Sequence, residues 1–166
     1  MSEEITKTNQ QKNRHGFVTF WLWLGIIANA ITVIRSLLQF GSTNIVQQIQ
    51  SLPFSIDLSP YQTIQTCLRL MLVIGILACI GIIIGNGMIL NWKKKGFWLN
   101  CIVAAICLVS TLILWFIMKG KFSEIGSSPD NSQIITQAII TPISLVIMWA
   151  ILQIKKDDIS CWKQLE

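Results

Sequence analysis

Charged residues are scarce in this chain. Lys and Arg number 13 and Asp and Glu number 8, so only 13% of its 166 residues are charged, whereas a soluble globular domain carries about 25%. Apolar residues make up 52% of the chain. There is too little polar material to cover a water-soluble surface, and the composition therefore predicts an integral membrane protein of one domain.

The long gaps between charges predict four membrane-spanning helices. A bilayer core about 30 Å thick needs roughly 20 apolar residues in a helix, and lipid cannot satisfy an unpaired backbone. The expected fold is an all-α bundle of two hairpins, with spans at residues 17–40, 67–90, 97–118 and 134–154. Ala28-Asn29-Ala30 has the form of a signal-peptide cleavage site, but the apolar run continues beyond it, which favours an uncleaved first span.

Basic residues outside the spans concentrate on one side. That side comprises the N-terminal tail 1–15, the loop between spans two and three, and the C-terminal tail 157–166, whereas residues 41–65 contain no Lys or Arg. The positive-inside rule therefore predicts that both termini are cytoplasmic. Residues 1–15 are polar and are expected to be disordered. The net charge of +5 follows from this asymmetry and gives no indication of nucleic-acid binding.

Residue types that carry chemistry are missing from the spans. His15 is the single histidine, and no Asp, Glu, Lys or His falls near the middle of a span. The cysteines form no C-x-x-C pair, so a zinc site is not expected. Proton relays and coupled transport usually need an ionisable group at that depth. The sequence thus predicts no catalytic residue, cofactor or metal, and no enzyme.

Hydroxyl and amide side chains form a candidate polar seam. They recur at helical spacing in span one. They reappear on one face of span three, which also carries Asn100, and on one face of span four. An unpaired amide inside a bilayer is costly, so these groups must face protein or water. The seam is either a structural hydrogen-bond network or the path of a solute. Its residues are Asn29, Thr32, Ser36, Thr111, Thr141 and Ser144.

Small residues form a stripe along span two: Gly75, Ala78, Gly81 and Gly85. Gly81 and Gly85 make a GxxxG pattern, which lets another helix approach closely. The stripe is interpreted as packing within the bundle, with homodimerisation as the alternative.

Two arginines lie near the outer ends of their spans. Arg35 and Arg69 either reach to the headgroups or form, with Asp57, an outer basic pocket for a lipid phosphate or a partner's carboxylate. On the other side, five lysines are candidate contacts for anionic lipid, although topology alone explains them equally well. These are Lys93, Lys94, Lys95, Lys155 and Lys156.

Local signals mark where the helices begin. Ser59-Pro60-Tyr61-Gln62 has the form of a capping box with Pro at the first helical position, and Ser128-Pro129 repeats the Ser-Pro start. Residues 45–52 have the spacing of a short amphipathic helix. These signals recur in both hairpins. The recurrence indicates either a parallel internal repeat or topology signals that every helical hairpin requires.

Two short segments resemble a loose group of small bacterial membrane proteins. In that group a WKKxGF loop joins two spans and a KK-x(3)-S-x-W-x-x-L tail follows the last. Here the loop is Trp92–Phe97 and the tail is Lys155–Leu165. The resemblance implies four spans in a bacterial inner (plasma) membrane and carries no implied activity.

These observations favour a non-enzymatic protein that acts through protein or lipid interaction. Its forms include an accessory or scaffold subunit and an immunity protein that shields the membrane from a toxin. The expected partners are the lipid bilayer and either another protein or further copies of the chain. The alternative is a small oligomeric channel or exporter with the polar seam as its path.

Overall fold

Helices dominate the fold. The computed structural model describes residues 15–42, 57–126, 132–156 and 159–165, and 88% of these residues are helical. The elements are α1 Gly16–Ser42, α2 Ser59–Leu90, α3 Lys95–Glu124, α4 Ser132–Leu152, β1 Lys155–Lys156, β2 Ile159–Ser160 and α5 Cys161–Gln164. The prediction of an all-α protein is confirmed.

Three helices are long and apolar enough to cross a membrane: Gly16–Phe40, Ser59–Leu90 and Lys95–Glu124. They cover the first three predicted spans, so the chain has the expected character of a helical membrane protein. α4 covers most of the predicted fourth span, and its apolar part, Ala138–Leu152, is shorter than the other three.

The start of α2 differs in detail from the predicted capping box. The helix begins at Ser59 with Pro60 in its first turn, as expected, but the residue in the capping position is Leu58 and its side chain makes no capping bond. Asp57 supplies an oxygen instead, because its Oδ1 accepts a hydrogen bond of 3.0 Å from the Ser59 amide. Ser59 is already helical, so its hydroxyl is not placed as that of an N-cap residue.

α2 and α3 form the closest helix pair. A Cβ atom on Gly81 would lie 2.8 Å from a methyl group of Val103, and one on Gly85 would meet the Asn100 side chain and the Gly96 carbonyl oxygen. The close approach predicted from the GxxxG pattern is thus made to α3 of the same chain. Gly75 has open space around it.

A tight turn joins α2 to α3. The Lys93 amide donates to the Met88 carbonyl at 2.9 Å and the Trp92 amide donates to the Ile89 carbonyl at 3.0 Å. This is the Schellman arrangement that satisfies the last carbonyl groups of a helix. Trp92 has a φ of 61°, a backbone conformation that is usually adopted by Gly.

α1 packs on α2, and α4 packs on α3. In the described chain, α1 and α4 make no extensive contact with each other. The helices therefore stand in the order α1–α2–α3–α4, with a gap between the first and the last.

Two apolar clusters hold the bundle. One lies where α1 begins, where α2 turns into α3 and where α4 ends; we call this the tail end. The other lies at the opposite end of α2 and α3 and is built on Ile64, Cys67 and Met118. The tail-end cluster consists of Val18, Leu22, Ile89, Phe97, Leu152, Cys161 and Leu165.

The C-terminal segment belongs to the tail-end cluster. Lys155 and Lys156 pair antiparallel with Ser160 and Ile159, which returns the chain toward the bundle. The Ser160 hydroxyl then accepts a hydrogen bond of 3.4 Å from the Lys163 amide and caps α5. Residues 159–165, predicted only as a cytoplasmic tail, are therefore packed against the helices.

Some predictions fall on residues that the structure does not describe. The disorder of residues 1–14, the amphipathic segment at residues 45–52 and the Ser128-Pro129 helix start lie outside the described residues.

Candidate functional site: a polar cavity between the helices

A cavity of about 490 Å³ lies between the four long helices, and all four contribute to its walls. We call this site the polar cavity. Its polar wall consists of Asn29, Thr32, Ser36, Asn86, Asn100, Thr141 and Ser144. Apolar and small side chains, among them Trp21, Cys107 and Met148, complete the lining. This volume falls in the range of small-molecule sites.

The structure brings five of the six predicted seam residues to this cavity. Asn29, Thr32 and Ser36 line it from α1, and Thr141 and Ser144 line it from α4. Thr111 does not line it, because the α3 part of the wall runs from Asn100 to Cys107. Gly75 and Ala78 of the small-residue stripe also line the cavity, whereas Gly81 and Gly85 face α3.

Two asparagines at the tail end of the cavity form its most buried polar feature. Asn86 is 3% exposed and Asn100 is 2% exposed. The Asn100 amide nitrogen donates to Asn86 Oδ1 at 2.9 Å and lies 3.7 Å from the sulfur of Met148. A side-chain bond between buried groups joins α2 to α3 here, and its net worth is about 1 kcal/mol.

Asn86 was not among the predicted seam residues. Its signal is helical spacing, because Gly75, Cys79, Ile82 and Asn86 follow one another at intervals of four, three and four. All four line the cavity. Extending the small-residue face of span two toward its end would have found this amide.

Glycines on neighbouring helices make room for both amides. The Asn86 amide nitrogen lies 2.7 Å from where a Cβ atom on Gly25 would stand. The Asn100 side chain occupies the space that a Cβ atom on Gly85 would need. The Asn100 Oδ1 atom is buried without a hydrogen-bond donor among the described residues.

Other polar groups of the wall donate to their own helices. The Asn29 amide donates to the Gly25 carbonyl at 2.7 Å, the Thr32 hydroxyl to the Ala28 carbonyl at 2.9 Å and the Ser144 hydroxyl to the Thr141 carbonyl at 2.7 Å. A hydroxyl has one proton and two lone pairs. Once the proton is used, the oxygen remains available as an acceptor toward the cavity.

The cavity is open on one side and closed at one end. Thr32 on α1 and Ser144 on α4 line it and are exposed, so it opens between these two helices, which make no extensive contact in the described chain. At the tail end it stops at Leu22, Ile89 and Leu152, which are nearly fully buried.

The outer basic pocket of Arg35, Arg69 and Asp57 stays a prediction. The Asp57 carboxylate accepts a hydrogen bond from the Ser59 amide. Arg35 is exposed and Arg69 is half-buried.

The basic loop and the C-terminal segment meet at the tail end. Lys94 Nζ lies 4.7 Å from the ring centre of Trp162, and the rings of Phe97 and Trp162 pack edge to face with centres 5.2 Å apart. The loop and tail motifs noted in the sequence are therefore in contact. Lys93, Lys95 and Lys155 are exposed, whereas the Lys156 side chain lies outside the described part.

Charged and imidazole side chains do not line the described cavity, although the thiols of Cys79 and Cys107 do. Its described lining contains no Asp, Glu, His, Lys or Arg, and the described residues contain no cluster of His, Cys, Asp or Glu suited to a metal ion. What the wall offers is hydrogen bonding by uncharged groups. Comparison of the chain with protein-family models, curated proteins and solved structures finds no match.

Proposed function

We propose that this chain is a non-enzymatic integral membrane protein that works by binding another component of the membrane. It serves as an accessory or scaffold subunit or as an immunity-type protein. The observation that carries this proposal is the shape of the polar cavity, which opens sideways between α1 and α4 and ends on the tail-end cluster. A site of this shape admits a group from the plane of the bilayer.

We further propose that all four long helices cross a bacterial inner membrane, with both termini cytoplasmic. α4 has 21 residues, and at about 1.5 Å per residue it is roughly 31 Å long, which matches a bilayer core. The exposed Lys93, Lys95 and Lys155 at the tail end support the cytoplasmic assignment. The internal repeat remains a hypothesis.

A reporter-fusion series tests this topology. Alkaline phosphatase, which is active only outside the cytoplasm, should be inactive when joined after Lys94 or Leu165 and active when joined after Gly126. Activity after Lys94 would contradict the orientation, and inactivity after Gly126 would contradict the third crossing.

Exposed apolar surface supports a binding role. α4 exposes Ile139, Ile143 and Val146, and α1 exposes Ile27 and Ile34. Lipid covers such faces without further cost, but lipid tails do not satisfy the amides and hydroxyls between them. A bound component that carries polar groups into the opening would satisfy them.

Purification in a mild detergent tests the binding role. The tagged chain should retain a defined protein or lipid, and Asn29→Leu in the cavity wall should release it. Thr111→Val is the matched control, since Thr111 belongs to the seam pattern but does not line the cavity. Release by both variants, or retention by both, would contradict binding at the cavity.

A small oligomeric channel or exporter is the second candidate. It is favoured by the presence of five seam residues in one cavity. A continuous path would require the tail-end cluster to part. Liposomes containing the purified chain should then conduct or release solute, Asn29→Leu should abolish that flux and Thr111→Val should leave it unchanged. Absence of flux from a correctly folded chain would exclude this candidate.

A further inference from the structure

We propose that the polar cavity binds the headgroup of an uncharged lipid that carries an ester carbonyl and a free hydroxyl, the chemistry of a diacylglycerol. This inference rests on the proposed function, because it names the membrane component that the cavity receives. It follows from the donors, the acceptors, the missing charge and the size of the site.

The tail end of the cavity offers a hydrogen-bond donor. The Asn86 side chain is 97% buried, as its exposure of 3% shows, and its Oδ1 atom already accepts from Asn100. Its amide nitrogen points toward Gly25, which also lines the cavity, and donates to no acceptor among the described residues. An unpaired donor inside a membrane is energetically costly. A carbonyl oxygen is the group that it lacks.

The outer part of the wall offers acceptors. Thr32 and Ser144 have given their protons to their own helices, and the Asn29 amide has given one of its two N–H protons to the Gly25 carbonyl. Their oxygens remain as acceptors, and a ligand must bring a proton to them. A free hydroxyl on the ligand donates to one of these oxygens, and a carbonyl oxygen on the same ligand accepts from the Asn86 nitrogen.

The lining argues against a phosphate-bearing headgroup. None of the residues that line the cavity is Lys, Arg or His. A charged phosphate would lose its hydration in such a site and would find no counter-charge there. The basic residues at the tail end lie beyond the closed end of the cavity, so an anionic headgroup there would not occupy it.

The volume argues against a partner helix. A helix about 10 Å wide has a volume of roughly 420 Å³ for each turn of 5.4 Å. The cavity of about 490 Å³ therefore holds about one turn, whereas a membrane-spanning partner has about five or more. A glycerol ester fits within it, and the acyl chains leave through the opening, where Ile140 and Ile147 line the wall.

Photolabelling with a lipid probe tests the proposal. The purified chain is placed in phosphatidylcholine vesicles with a diacylglycerol that carries a diazirine near its glycerol, and labelled residues are mapped by mass spectrometry. We expect labels on α1 and α4 around Thr32 and Ser144, with competition by unlabelled diacylglycerol. Asn86→Leu should weaken apparent binding about tenfold, equivalent to one hydrogen bond of about 1.4 kcal/mol.

Two further variants keep the test decisive. Asn91→Leu makes the same substitution at an exposed residue whose amide bonds only to the Gly87 carbonyl, and it should leave labelling unchanged. Thr141→Val alters the wall without touching the asparagine pair, so it retains the fold if Asn86→Leu does not. It should reduce labelling.

The outcomes separate this inference from the proposed function. Equal labelling by a matched phosphatidic acid probe, or labelling indifferent to both Asn86→Leu and Thr141→Val, overturns the lipid assignment. If no lipid labels the cavity but a protein is retained by the wild type and released by Asn29→Leu, the lipid assignment fails and the binding function stands. If neither lipid nor protein is bound, both fail.

Discussion

The α2–α3 pair and the α3–α4 pair are built on different principles. α2 and α3 touch through backbone and small side chains, with Gly85 and Gly96 in direct contact and the Asn86–Asn100 bond beside them. α4 exposes most of its apolar side chains and is buried only where it ends, at Leu152. One pair is a tightly packed unit, and α4 is attached to it chiefly at the tail end.

Packing in lipid explains the difference. Lipid tails are as apolar as the side chains, so helices associate through close contact and hydrogen bonds rather than by burying apolar surface. Glycines provide that contact between α2 and α3, whereas α4 exposes most of its Ile and Val side chains and packs less extensively on α3. The polar cavity lies between this tight pair, α1 and the less extensively packed α4.

The largest expected effect comes from Gly96→Ala. A Cβ atom there would meet the Gly85 carbonyl and would lie 2.9 Å from the Ile89 amide nitrogen, and backbone atoms cannot move aside cheaply. We expect the free energy of unfolding in a detergent titration to fall by about 3 kcal/mol. Gly87→Ala is the control, since nothing lies within 4 Å. Equal effects of the two variants would break the distinction between the tight pair and the rest.

The next effect comes from Asn100→Leu, which leaves the Asn86 oxygen without its donor. We expect the same free energy to fall by about 2 kcal/mol, the cost of a buried group without a partner. The double variant with Asn86→Leu should be less destabilised than the sum of the single variants, because neither partner is then left alone. Strict additivity in this cycle would show that the hydrogen bond does not join α2 to α3.

A smaller effect is expected from Trp162→Ala, which removes the ring that packs on Phe97 and Lys94. The loss should be about 1 kcal/mol. It should appear as faster proteolysis of the C-terminal segment and as looser attachment of α4, measured by hydrogen exchange, while α2 and α3 stay protected. Trp149→Ala is the control, since that ring is 49% exposed. Equal loosening of α2 and α3 would contradict separate attachment.

The smallest effect is expected from Ser160→Ala, which removes the cap of α5. The expected loss is about 0.5–1 kcal/mol, confined to the C-terminal segment and measured by the same exchange experiment. Ser123→Ala, in the last turn of α3, is the comparison. If exchange protection fell over the whole bundle, the C-terminal segment would not be a locally stabilised part of the fold.

The sequence by itself determined the helices and which faces of them are polar. Long runs without charge located α1, α2 and α3, and Pro60 marked the start of α2. Spacing of three and four residues placed Asn29, Thr32 and Ser36 on one face. These are properties of single helices, and they depend only on neighbours along the chain.

Only the tertiary structure decided which faces meet and how closely. It excluded Thr111 from the cavity, paired Asn86 with Asn100 and brought Trp162 onto Lys94. The rotation of each helix and the depth of its contacts are set by side chains that lie far apart in the chain. Gly85 and Gly96 allow the close approach of α2 and α3, and periodicity within one helix does not predict which helix its glycines meet.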